Sequence, residues 1–182
     1  MIEQIKADVK QKFTDYPSRY LHTLGVVKTA VSLAVLYGVD THKAYIAALF
    51  HDYTKYDSTE QQTKHLSSEV VQKYAHMPVM YHALSAAEVL KTKYHVVDTE
   101  ILDAIRYHVR GRTGMTTLDK IILVADKTEP SRDYPIVNDL RKLSQVSLDE
   151  TIKMYLTNLM QTKKGEKYNK QSLQEIINSI GE

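Results

Sequence analysis

Lys43-Ala44-Tyr45-Ile46-Ala47-Ala48-Leu49-Phe50-His51-Asp52-Tyr53-Thr54-Lys55 is the stretch on which the reading of this chain turns. Ala44, Ala47, Ala48 and Phe50 form an apolar stripe at helical spacing, and Asp40 or Thr41 stands where an N-cap belongs. The stripe predicts a helix, with His51 and Asp52 near its C-terminal end. Adjacent residues on a helix splay by about 100°, so neither side chain shields the other. Both can grip one ion if other helices supply further ligands. Taken alone, such a pair is equally a hydrogen-bonded helix end.

Working outward, almost every segment reads as helix. Ile2, Ile5, Val9 and Phe13 recur at helical spacing. Pro17 suits the first turn of a second helix running to about Tyr37, with Gly38 as its C-terminal cap. The polar stretch 53–66 reads as a loop. Helices are expected over about 68–75, ending before Pro78, and over 79–93. Asp98 caps a helix through Val109, whose Ile101, Leu102 and Ile105 face inward, and Gly111 and Gly114 break it. Thr116 or Thr117 opens the next helix, 118–127, and Pro130 and Pro135 bracket a turn. Ser147 caps an amphipathic helix through Leu148, Ile152, Tyr155, Leu156 and Leu159. A polar linker, 163–167, leads to a last helix with Leu173, Ile176, Ile177 and Ile180. Val96-Val97 is too short to compete as a strand. The expected fold is an all-α helical bundle, a single domain over 1–182. Its motif-bearing core covers about 17–135, with C-terminal helices over about 136–180.

At 182 residues the chain is long enough for one well-buried core and short for two domains. With 43% hydrophobic and 25% charged residues it has ordinary globular composition. A formal charge of +2 gives no global argument for nucleic acid or a membrane surface as partner, so any attraction for anions must be local. The absence of cysteine removes disulfides, zinc–thiolate sites and thiol nucleophiles together. The N-terminus has no signal-peptide apolar region, and no apolar run approaches the roughly 18 residues of a membrane span. A cytoplasmic enzyme or binding domain is expected.

Four further residues can join His51 and Asp52: His22, His82, His108 and Asp126. Asp126 ends the apolar run Ile121–Ala125, where an unpaired carboxylate would be costly to bury. A metal ion offsets that cost; an ion pair with Lys127 or Arg132 is the alternative. Each histidine taken singly is more often a satisfied core or surface group. His42, His65, His76 and His95 sit in polar or terminal stretches and are read as surface residues. An imidazole–carboxylate set suits a transition-metal ion that activates water. Lys55 lies four residues past His51, and Arg106, Arg110 and Arg112 cluster around His108, with Arg132 after Glu129-Pro130. Such groups suit an oligophosphate. No GxxxxGK[ST] or GxGxxG loop is present, so metal and basic side chains must hold the phosphate. The residues point to a metal-dependent phosphohydrolase.

The ordered set His22, His51-Asp52, His82, His108 and Asp126 resembles that of the HD-domain phosphohydrolases, and within them the bacterial YqeK-type symmetrical diadenosine tetraphosphate hydrolases. Supporting stretches are 19–26, 43–55, 104–108 and Ala125-Asp126-Lys127-Thr128-Glu129-Pro130-Ser131-Arg132. The resemblance implies an HD fold with two transition-metal ions, iron first, with manganese or cobalt as alternatives. It implies that His22, His51, Asp52 and Asp126 hold one ion and His82 and His108 the second, with Asp52 bridging. It also implies that Lys55, Arg106, Glu129 and Arg132 line the substrate-phosphate pocket. The chain departs from the family pattern at Ala83, where glycine is usual, and at Val109-Arg110, where small hydroxylated residues are usual.

The implied reaction is hydrolysis of diadenosine tetraphosphate to two ADP by a metal-activated hydroxide, with Asp52, Lys55 and Asp126 in the catalytic roles. The competing readings are another HD phosphohydrolase (a nucleotidase, dNTPase or guanosine alarmone hydrolase) and a non-catalytic nucleotide-binding sensor. Tyr20, Tyr53, Tyr81 and Tyr107 could stack on a purine. The amphipathic C-terminal helices can complete the core or form a homodimer face, and a homodimer is the expectation.

Overall fold

The computed structural model describes residues 1–181, and among these every regular element is helical. The helices are α1 (Ile2–Lys12), α2 (Pro17–Leu36), α3 (Thr41–Phe50), α4 (Thr59–Thr63), α5 (Ser68–Tyr74) and α6 (Tyr81–Tyr94). They continue with α7 (Thr99–Tyr107), α8 (Thr117–Thr128), α9 (Val137–Leu143), α10 (Leu148–Met160) and α11 (Lys170–Asn178). The boundaries follow local chemistry. Asp40, Asp98, Thr116 and Ser147 each accept backbone N–H bonds as N-caps of α3, α7, α8 and α10. Gly38 sits at φ +66° after α2; Val39 N–H reaches Ala34 O and Gly38 N–H reaches Val35 O, closing the helix in a left-handed turn.

Two elements depart from the sequence expectation. The stretch 53–66 is not all loop: it holds α4, opened by a reciprocal cap between Ser58 and Gln61. The segment after Pro135 holds α9, whose Val137 and Leu140 are buried. At five and seven residues neither is long enough to show helical periodicity in sequence. The Lys163–Lys167 linker forms a short 3-10 helix. Helix α3 stops at Phe50, and His51 through Asp57 continue as successive turns, so Lys55 does not lie on an extended α3.

Helices α3 and α8 lie at the centre. Helix α3 packs on α2, α7 and α8, and α8 packs on α2, α7 and α10, while α6 lies along α7 and α4. A helix in that position must be apolar all round. Ile46 to Phe50 in α3 and Ile121 to Ala125 in α8 are accordingly buried. Helix α10 turns Leu148, Ile152, Tyr155, Leu156 and Leu159 inward, and α11 buries Leu173 and Ile176, packing on α10. No helix among the described residues is long and apolar enough to cross a membrane.

Each fully buried aliphatic side chain contributes about 1.5–3 kcal/mol of transfer free energy, and truncation adds the cost of a cavity. Ile122 is fully buried in α8. Ile122→Ala is expected to lower unfolding free energy by about 2–5 kcal/mol in a denaturant titration; a loss below about 1 kcal/mol would place α8 outside the core.

Candidate metal centre

Six side chains converge where the ends of five helices meet. His22 comes from the second turn of α2, His51 and Asp52 from the end of α3 and the turn beyond it. His82 is the second residue of α6, His108 the C-terminal cap of α7, and Asp126 lies in the last turn of α8. All six are buried, at 0% to 5% exposure, so none faces bulk solvent.

Local hydrogen bonding orients the rings. His51 Nδ1 lies 2.6 Å from Ala48 O, and His108 Nδ1 lies 2.7 Å from Ile105 O. A carbonyl can only accept, so Nδ1 donates in both; Ile105 O accepts the His108 backbone N–H as well. In the neutral ring that leaves Nε2 with its lone pair directed into the centre. His22 Nδ1 lies 2.9 Å from Glu129 Oε1 and donates to it in the same way.

The atoms that meet are acceptors. Asp52 Oδ1 lies 3.2 Å from His82 Nε2 and 3.5 Å from His108 Nε2. Its other oxygen, Oδ2, lies 3.4 Å from His51 Nε2 and 3.9 Å from His22 Nε2. Asp126 Oδ1 lies 3.1 Å from His22 Nε2 and 3.9 Å from His51 Nε2. Two groups, His22–His51–Asp52 and Asp52–His82–His108, thus have the spacing of metal ligands, and Asp52 belongs to both. Ligand atoms bonded at about 2.1 Å to one ion lie roughly 3.0–3.4 Å apart. His22 Nε2, His51 Nε2 and Asp52 Oδ1 are buried without a hydrogen-bond partner. Orphaned acceptors at this depth are costly without a cation among them, and the set fits a divalent metal centre.

The protein supplies its own cations around that centre. Arg19 Nη1 donates to Asp52 Oδ2 at 2.9 Å, and Lys55 Nζ lies 3.1 Å from His82 Nε2 and 3.7 Å from Asp52 Oδ1. Lys127 Nζ and Arg132 Nη2 each lie 2.5 Å from a carboxylate oxygen of Asp126. Burial pushes the carboxyls of Asp52 and Asp126 up, but the charges around them outweigh it and hold both well below the ordinary range. Burial also lowers the pKa of His82 and pushes His108 down to about 3, leaving these imidazoles neutral, as ligands must be. Burial lowers Lys55 as well, against the pull of Asp52 and Asp126.

All six expected ligands come together, with Lys55 and Arg132 beside them. The alternative partners of Asp126 are both present too, Lys127 on Oδ2 and Arg132 on Oδ1, the oxygen that also faces His22 and His51. Glu129, expected to line a phosphate pocket, instead lies buried behind His22, accepting from its Nδ1 and from Ser131 N and Oγ. Arg106 is not brought into the cluster. Its guanidinium is tied to Glu88 at 2.7 Å and Asp103 at 2.9 Å and borders a separate cavity of about 420 Å³. Arg110 reaches Ser172 on α11, and Arg112 reaches Asp103 and Asp119. None of the three arginines around His108 therefore faces the ligand atoms.

Three contributors escaped the sequence reading. Arg19 precedes His22 by three residues, the spacing of one helical face, and that was its signal. Gly25 leaves room for Glu129 against α2: a Cβ at Gly25 would lie 2.5 Å from Glu129 Oε2. Arg141, on α9, donates to the backbone carbonyls of Thr128, Glu129 and Arg132 at 2.8 to 2.9 Å, with Pro130 O at 3.3 Å. It latches the loop that carries Glu129 and Arg132. A cavity of about 390 Å³, lined by Ser18, Arg19, His22, Ser131, Arg132, Asp133 and Tyr134, opens beside the centre.

Asp52→Ala removes the carboxylate common to both groups, and metal per chain measured by elemental analysis is expected to fall to near zero for both ions while the helical circular dichroism persists. Full metal content in that variant would refute the shared-ligand geometry. Gly25→Ala is expected to displace Glu129 and release His22, weakening metal retention against a chelator by about tenfold or more; unchanged retention would show that Glu129 does not hold the ring.

The family model of the HD domain matches residues 19–131. The chain is 42% identical over 160 residues to the symmetrical bis(5'-nucleosyl)-tetraphosphatase of Bacillus subtilis, covering 87% of this chain and 85% of that protein. It is 39% identical over 154 residues to the protein of the same name from Halalkalibacterium halodurans, covering 82% and 80%. A solved structure from Clostridium acetobutylicum, described as a predicted HD superfamily hydrolase involved in NAD metabolism, superposes with a TM-score of 0.86 at 29% identity, covering 99% of this chain and 96% of that one. With its buried histidines and aspartates and these likenesses along most of its length, the chain belongs to the HD-domain family, on the branch of the symmetrical bis(5'-nucleosyl)-tetraphosphatases.

Proposed function

We propose that this chain is a metal-dependent phosphohydrolase that cleaves diadenosine tetraphosphate symmetrically, giving two ADP. The observation that carries the reading is Asp52, whose two oxygens each face a separate pair of imidazole nitrogens. That arrangement suits two adjacent ions sharing one carboxylate. His22, His51, Asp52 and Asp126 would hold one ion, and His82 and His108 with Asp52 the other. Iron is the occupant proposed, with manganese or cobalt able to use the same ligand types. When bound, such ions supply Lewis acidity and bring the pKa of water toward neutrality.

The chain's own residues do the rest. Arg19, Lys55, Lys127 and Arg132 set four cations against the carboxylates of Asp52 and Asp126, leaving positive charge for an anionic ligand. Arg19 and Arg132 flank the open cavity and are placed to take substrate oxygens. Lys55 stands over Asp52 and His82, where it meets charge that spreads over the phosphoryl group under attack. Water adds at one of the two central phosphorus atoms, and the P–O bond to the bridging oxygen breaks. One ADP departs with that oxygen on its terminal phosphate, and the attacked half keeps the water oxygen as the second ADP. That leaving group needs no strong acid, and none stands among the buried ligands. Glu129 holds His22 in register and stays out of contact with substrate. Symmetry of the cut follows the names of the relatives.

The test separates products. Metal-loaded protein given diadenosine tetraphosphate is expected to yield ADP alone, and protein stripped by chelator to yield nothing until ferrous iron is restored. ATP with AMP as products would overturn the symmetrical cut. Faster turnover of a nucleoside monophosphate, a dNTP or a guanosine alarmone would replace the substrate assignment.

A further inference from the structure

Of the chain's thirteen tyrosines, Tyr16 and Tyr56 are the two that stand exposed among the described residues, and they stack on each other. Their ring centroids are 4.0 Å apart with planes at 17°, while 41% and 45% of their surfaces remain open to solvent. Tyr16 is the N-cap residue of α2, and Tyr56 ends the run of turns that begins at His51 and Asp52. The pair is fixed from behind: buried Phe13 sets its ring edgewise to Tyr56 at 6.5 Å, and Lys12 pairs with Asp57 across the same junction. Exposed aromatic surface has a solvation cost that stacking of two rings only partly recovers.

The position of the pair says what the open surface is for. Arg19 carries its guanidinium 5.8 Å from the Tyr56 ring centroid and donates from Nη1 to the Asp52 carboxylate at 2.9 Å. A single side chain therefore links the aromatic pair to the centre of the candidate site, a span that a ribose and its phosphates can cover. Of the four tyrosines that the sequence suggested for this task, Tyr20 is half-buried and packed against the core, and the other three are engaged elsewhere. Tyr53 stacks on Phe50 at 4.3 Å, Tyr81 is buried and donates to Val71 O, and Tyr107 is half-buried on the separate cavity that Arg106 borders.

We infer that Tyr16 and Tyr56 form a base-stacking platform that holds one nucleobase of a nucleotide whose phosphates lie against Arg19 and the metal ligands. The inference rests on the phosphohydrolase reading and deepens it by assigning recognition of the nucleoside half. Stacking uses the π-face that all bases share, so the platform distinguishes a nucleoside phosphate from a bare phosphate more strongly than it distinguishes adenine from guanine.

Calorimetric titration of the metal-loaded protein with ADP and with pyrophosphate tests it. ADP is expected to bind more tightly than pyrophosphate. Tyr56→Leu and Tyr16→Leu, which keep bulk and remove the π-face, are expected to weaken ADP by about tenfold or more and leave pyrophosphate within about twofold. Tyr56→Phe and Tyr16→Phe are expected to restore ADP affinity. Equal binding of ADP and pyrophosphate by the unaltered protein overturns the platform, and so does an equal loss of both ligands in the leucine variants. These affinities are independent of the products of dinucleotide cleavage, so a failed platform and a failed hydrolytic reading are told apart.

Discussion

Six buried side chains present lone pairs to one another around Asp52, and the only N–H groups among them come from four flanking cations, Arg19, Lys55, Lys127 and Arg132. Acceptors held at 3.1 to 3.9 Å with three of them lacking any hydrogen-bond partner repel, and burial removes the water that would relieve them. The helical scaffold has to impose this arrangement. It does so by bringing the ends of α2, α3, α6, α7 and α8 to one place, with α3 and α8 apolar enough to be surrounded. Helix ends suit the purpose because their last carbonyls have a lone pair to spare and can orient an imidazole through Nδ1, as Ala48 does for His51 and Ile105 for His108.

Charge is organised in shells about that point. Imidazole nitrogens and carboxylate oxygens lie innermost. Four cationic side chains then hold the same carboxylates, with Lys127 and Arg132 on Asp126 and Arg19 and Lys55 on Asp52. Behind His22 the order reverses, with Glu129 taking the ring proton. The same residues are thus suited to a divalent ion at the middle and to a polyanion at the rim.

Much of this was legible in the sequence, for identifiable reasons. The long helices announced themselves through apolar spacing, and Asp40, Asp98 and Ser147 marked their starts. The six side chains that meet at the centre were found through residue type and order. Where the arrangement of side chains departs from the sequence reading, the causes are physical as well. Arg106 was grouped with His108 by proximity in sequence, yet residues two apart on a helix point about 200° apart, and Arg106 accordingly turns to Glu88. Glu129 was assigned to substrate because its burial behind Gly25 depends on how closely α2 approaches the loop after α8, a tertiary fact. Helix α9 and its Arg141 could not be read at all, since seven residues carry too little periodicity and a guanidinium clasping backbone carbonyls leaves no motif.

Arg141 carries a consequence for where the working part of the molecule ends. The segment matched by the HD family stops at Ser131 and already holds all six proposed ligands. The carbonyls that fix the course of that segment's last turn are grasped from beyond it, by an arginine on a short helix seated between α8 and α10. A fragment trimmed to the recognisable motif would keep the inner residues and forfeit the brace that sets their geometry. The smallest competent unit is therefore longer than its signature.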